Sequence, residues 1–171
     1  MRTIILIILL SPLLVFAQKS NVFIKLTDAR SQQITGDASV KGFERSIEVT
    51  SFSSTPGKEN NEINFTMPVG AAGADLRRAL SSGELLNNGL LTVQSPNGIG
   101  APAVQYTIKM ESISVLSCTE AMGCNNVMNT TVTLKATRAG WTYYSQNRSG
   151  VSTVSRKFGW DASTGAEWTN F

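Results

Sequence analysis

The sequence predicts an all-β domain carrying one short α-helix, and three observations lead there. Over residues 104–111, Val104, Tyr106, Ile108 and Met110 alternate with Gln105, Thr107, Lys109 and Glu111. That period of two marks a strand with one buried face. A second alternation follows a polar loop, with Val132, Leu134 and Ala136 set against Thr131, Thr133, Lys135 and Thr137. Helix punctuation occurs at one place only, around residues 75–83. Two long antiparallel strands therefore form the spine of the domain. At Ser112 the phase slips and Ile113 and Val115 take over the apolar side, which predicts a β-bulge.

The elements can be taken in chain order. Arg2, the apolar run 4–16 and the small Ala17 before Gln18 form a Sec-type signal peptide cleaved between Ala17 and Gln18. The alternative is a membrane anchor, but the run is shorter than the about 20 residues a spanning helix needs. The first strand is 21–27, with Val22, Ile24 and Leu26 on one face. Residues 28–37 are a polar loop. A second long strand is predicted over 40–53, with Phe43, Ile47 and Val49 on one side and Glu44, Ser46, Glu48 and Thr50 on the other. Ser53, Ser54, Thr55, Pro56, Gly57, Lys58, Glu59, Asn60, Asn61 and Glu62 hold no large apolar residue, so this stretch should project as a long hairpin loop. Ile63, Phe65 and Met67 resume a strand.

Asp75 can cap a helix, Leu76, Ala79 and Leu80 form its apolar stripe, and Gly83 sits where it would stop. Residues 85–93 lead into another strand, and 94–102 are turn-rich. Trp141 and Tyr143 extend the second spine strand. Residues 151–160 are the last strand, and Gly159-Trp160-Asp161 closes the domain. About eight one-faced strands are most economically buried by a closed or nearly closed barrel. Residues 18–171 read as a single domain.

Composition removes several function classes. The 171 residues hold 15 Lys+Arg, 12 Asp+Glu and no histidine. No basic stripe points to nucleic acid, and beyond the leader no apolar segment suits a membrane. Without histidine, Ser-His-Asp and Cys-His catalysis are excluded. The Gly98–Ala103 segment fits a loose dinucleotide pattern but runs into a strand, so it reads as a turn. Asp161 and Glu167 make an imaginable carboxylate pair, but surface charge explains them better. Cys118 and Cys124, with five residues between them, can be oxidised in an exported chain. Their bridge would stabilise by about 2–3 kcal/mol on the chain-entropy model; two free thiols are the alternative. No metal or other cofactor is expected. Trp141, Tyr143, Tyr144, Trp160 and Trp168 make the C-terminal third aromatic-rich. Core and interface packing account for them, with a ligand or carbohydrate platform as the alternative.

In family order, the chain resembles the haemolysin-coregulated protein (Hcp) family, the tube protein of type VI secretion. The matching pieces are Phe23-Ile24-Lys25-Leu26, Gly36 through Lys41-Gly42 to Ile47-Glu48-Val49 and Ser51-Phe52-Ser53, and the helix with Leu76, Leu80 and Gly83. They continue with the Tyr106–Met110 strand, Val132-Thr133-Leu134, Trp141-Thr142-Tyr143 and Phe158-Gly159-Trp160-Asp161. The resemblance implies an Hcp-like two-sheet β-barrel with a helix on its side and a homo-hexameric ring stacked into a tube. It also implies a lumen for a secreted effector or cargo, and no enzymatic activity. The 53–62 loop is then either a contact to the adjacent ring or a solvated hairpin tip. The leader sets the chain apart from type VI tube proteins, which are cytoplasmic before firing, and implies a secreted or periplasmic member. The alternative function is a secreted monomeric binding module of the same fold.

Overall fold

The computed structural model describes residues 20–95, 102–123, 126–147 and 151–171. The predicted leader and its cleavage point at Ala17 and Gln18 lie outside these residues, as do Cys124 and most of the 94–102 turn. Among the described residues, nine strands and one helix follow in order. They are β1 (Asn21–Thr27), β2 (Ile47–Val49), β3 (Ser51–Pro56), β4 (Asn61–Pro68), α1 (Ala71–Ser82), β5 (Leu86–Ser95), β6 (Ala103–Met122), β7 (Met128–Gln146), β8 (Ser152–Asp161) and β9 (Ala166–Glu167).

The predicted spine is β6 and β7, paired antiparallel from Tyr106 opposite Tyr143 to Met122 opposite Met128. On its other edge β7 takes β4 against residues 129–136 and β8 against residues 138–146. β5 leaves β6 at Ile113. Near Ser112 and Thr137 the β6 flank therefore loses β5 and the β7 flank exchanges β4 for β8. One half is β2-β1-β5 with the first part of β6, the second part of β7, and β8. The other half is the remainder of β6 and β7 with β4 and β3. These are the two sheets of the expected barrel, joined in one hydrogen-bonded network. No ladder among the described residues closes it. Its end strands β2 and β3 are consecutive in the chain, and between them the Thr50 N–H donates to the Thr66 carbonyl at 2.8 Å.

Ile24, Leu26, Ile63, Phe65, Leu91, Ile108, Val132 and Leu134 fill the space inside, and Leu76 of α1 caps it. Burial of apolar area at about 25 cal/mol per Å² is what holds the roll together. The Ser112 slip is present: Met110 and Ile113 are both buried and Ser112 has φ 52°. The ladder register is nevertheless unbroken there. Met110 faces Ala139 and Ile113 faces Ala136, because β7 slips opposite it. Thr137 Oγ1 donates to the Ser112 carbonyl at 3.1 Å and locks the paired step. The register shift itself lies further on, between Val115 and Ser117.

Five other expectations need correction. Residues 40–46 are not a strand. Gly42 (φ 86°) and Arg45 (φ 60°) turn the chain, and Phe43 stacks on Phe23 with centroids 4.5 Å apart. Covering the outer face of β1 buries Phe23 and half-buries Phe43, which extension along the sheet would not do. Ser46, expected outward, is fully buried. The 53–62 stretch is no long loop: β3 and β4 run through it to Pro56 opposite Asn61, leaving a turn at Gly57–Asn60. The helix starts before Asp75. Gly70 is its N-cap without a side-chain bond, and the Asp37 carboxylate lies against Gly70, an acidic group favourable at a helix start. The end of α1 is as expected, at Gly83 with φ 67°.

Nor does the domain end at Asp161. The chain turns at Gly165 (φ 65°), forms β9 and lays Trp168 and Phe171 back on β7 and β8. Gly140 and Gly159 are cross-strand partners, and a Cβ at either would overlap Phe171. The two glycines are the bare seat for this segment. Lys109 and Lys157 place their ammonium groups 5.4 and 4.3 Å from the Trp168 and Phe171 ring centres, within cation–π range.

Candidate assembly surface

A strand whose outer edge has no partner offers a row of N–H and C=O groups to another chain. Among the described residues β3 pairs only with β4, the short β2 only with β1, and β8 pairs beyond β7 only through Trp160 and Asp161 to β9. β3 and β8 therefore present two unlike open edges. The 57–60 turn connects β3 to β4 and is held down by polar contacts. Trp160 Nε1 donates to the Lys58 carbonyl at 3.2 Å, and Trp141 Nε1 donates to Ser54 Oγ at 3.3 Å. Asn61 is wholly buried and aims its Nδ2 at the carbonyls of Ala136, Thr137 and Trp160, at 3.3–3.4 Å. It bridges the point where β7 exchanges β4 for β8.

The same junction carries an ion cluster. Arg138 donates through Nε to Asp161 at 3.0 Å and through Nη1 to Glu111 at 3.1 Å. Asp161 also accepts from the Ser163 hydroxyl and amide at 2.5 and 2.9 Å. The Ser163 hydroxyl foremost, with the Ser163 amide and Arg138, holds the Asp161 carboxyl below its ordinary range against the opposing effect of burial. Asp161 is thus engaged in a structural turn, while Glu167 is exposed.

An aromatic row crosses β3, β6, β7 and β8. Phe52 and Tyr106 stack at 6.2 Å, Tyr106 and Tyr143 tilt at 5.0 Å, and Trp141 stacks on Phe158 at 5.7 Å. Burial, partly offset by Ser54, pushes the Tyr106 phenol up to about 12. Of the two cysteines, Cys118 carries a free thiol 4.0 Å from the Gly73 carbonyl. Burial raises its pKa and Arg77 draws it back. Cys124 lies outside the described residues. Sequence reasoning located the 53–62 stretch and the aromatic residues but not the Asn61 bridge or the Arg138 cluster. Both depend on the register between β7 and β8, which no local pattern encodes.

This rolled antiparallel fold with one side helix is shared with solved Hcp structures. Hcp1 from Salmonella typhimurium superposes with a TM-score of 0.71 at 16% identity, covering 87% of this chain and 99% of that one. A structure described as a type six secretion system protein gives 0.73 at 18%, covering 88% and 100%. The secreted protein Hcp3 from Pseudomonas aeruginosa gives 0.63 at 19%, covering 80% and 97%. No curated protein sequence matches the chain. The family model for the type VI secretion system effector Hcp matches residues 23–143. The chain belongs to the Hcp family. No helix among the described residues is long and apolar enough to cross a membrane.

Proposed function

We propose that this chain is an exported Hcp-type tube subunit that works by self-association rather than by turning over a substrate. The observation that carries the reading is the pair of unlike open edges, β3 and β8, on a fold shared with Hcp proteins. A contact between unlike edges is heterologous, and it closes into a ring when the rotation fits. The family resemblance favours six subunits, stacked rings and a lumen that accepts a secreted effector or cargo. The 57–60 turn, within the 53–62 stretch, is the contact to the next ring. The N-terminal leader directs the chain to the periplasm or beyond the cell.

Light scattering and negative-stain microscopy on residues 18–171 test the assembly. A six-subunit mass with annular particles is expected, and a monomer mass that persists at high concentration would refute it. In the oxidising compartment Cys118 and Cys124 form the bridge. A thiol assay on denatured, unreduced protein should then find no free thiol, and two free thiols would dismiss the bridge.

A further inference from the structure

The aromatic row has features that ring assembly does not call for. Tyr106 lies two residues before Ile108 on β6, and Trp141 and Tyr143 lie two and four after Ala139 on β7, so all share the face that builds the core. Phe158 and Trp160 stand opposite Trp141 and Ala139 on β8 and continue the row. Towards its outer end the row leaves the core: Tyr143 is 48% and Phe158 45% exposed. Their ring faces are open where those of Phe23 and Phe65 are closed.

Two open recesses flank the row. One, of about 700 Å³, is lined by Phe52, Gln105, Tyr106, Tyr143, Tyr144 and Gln146. The other, of about 420 Å³, lies over Pro56, Phe158 and Trp160. No carboxylate lines either, and Lys58 is the one charged residue in the pair; Arg156 stands opposite Tyr143 at the rim. The Trp160 N–H is already spent on the Lys58 carbonyl, so that indole offers its face and not its donor. The larger recess adds neutral donors and acceptors in the two glutamine amides and the tyrosine hydroxyls.

We propose that this row is a glycan-binding strip whose ligand is a neutral polysaccharide chain. A pyranose ring presents an apolar C–H face and a rim of hydroxyls. Open aromatic faces take the first, and amides and phenols take the second. Anionic ligands lack a cationic cluster to receive them, and cationic ligands lack a carboxylate. The two recesses, with Phe158 exposed in one and Tyr143 in the other, suit an extended chain rather than a single sugar. The strip shares Lys58 with the turn, and Phe52, Pro56 and Phe158 with the edge strands, that the proposed ring uses, so sugar binding and ring assembly draw on common residues.

Titration of residues 18–171 with cellohexaose, chitohexaose and maltohexaose, followed by calorimetry and tryptophan fluorescence, tests it. Saturable binding of at least one oligosaccharide is expected. It should be about tenfold weaker in Tyr143→Ala and weakened in Gln146→Ala, with thermal unfolding and mass unchanged in both. Gln146 is exposed, so its variant remains informative should the tyrosine variant misfold. Absence of saturable binding by all three sugars would overturn the proposal. So would binding unaffected by either substitution. A change in assembly mass on Tyr143→Ala without sugar binding would reassign the row to a subunit contact, and capture of an aromatic-rich peptide in place of the sugars would reassign it to polypeptide.

Discussion

Ile108→Ala is expected to lower the stability of the fold by about 2–5 kcal/mol. Ile108 is wholly buried and sits mid-ribbon, between Leu91 of β5 and Trp141 of β7, themselves 0% and 3% exposed. Two ladders hold these three strands at fixed spacing, so the void left by the lost carbons cannot collapse, and the cavity cost adds to the lost transfer energy. The neighbouring Lys109→Ala should cost about 1 kcal/mol or less. It removes a 3.4 Å ion pair with Glu111 and a contact over Trp168, both on a half-exposed side chain. Urea unfolding of the two variants separates the faces. A shifted midpoint with unchanged slope is expected for Ile108→Ala, and equal losses from both would mean that β6 is facing the wrong way.

That contrast rests on a pattern visible in the chain itself. β1, β6 and β7 were legible because each has one face in the core and one outside, so burial writes a period of two into the residues. The Ser112 slip was legible for the same reason, since Met110 and Ile113 both need the interior. What was not legible depends on partners far away in sequence. Phe43 continues the alternation of Ile47 and Val49, yet it is half-buried in another layer, against Phe23. Ser54 and Lys58 look unanchored until β7 and β8 bring Trp141 and Trp160 to them. The helix start carries no local cap because the acidic group beside Gly70 comes from Asp37. The aromatic residues of the C-terminal third were visible as a composition. Their arrangement as one row appears only when Trp141 is set opposite Phe158 and Tyr106 opposite Tyr143.

Asn61→Asp should be the most damaging isosteric change in the chain, costing about 3–5 kcal/mol near neutral pH. Shape is conserved, so packing does not enter. The amide presents N–H groups to the carbonyls of Ala136, Thr137 and Trp160, and its own Oδ1 has no partner. A carboxylate there would face three carbonyl oxygens with no donor and no access to water, which is an uncompensated buried charge. The variant escapes by keeping its proton, so its folded pKa lies above the unfolded value of about 3.9. The sign of the pH dependence follows. Below the unfolded value the group is protonated in both states and the deficit is smallest. As pH rises the unfolded chain releases the proton and the folded chain does not, so the deficit grows until the folded pKa is passed. Asn61→Ala removes the donor without adding charge and should cost about 1–3 kcal/mol with no such slope. Chemical denaturation of both variants against the parent across the acid range distinguishes them. A flat difference for Asn61→Asp would show that water reaches the junction and that the β4–β8 changeover is not sealed by this side chain.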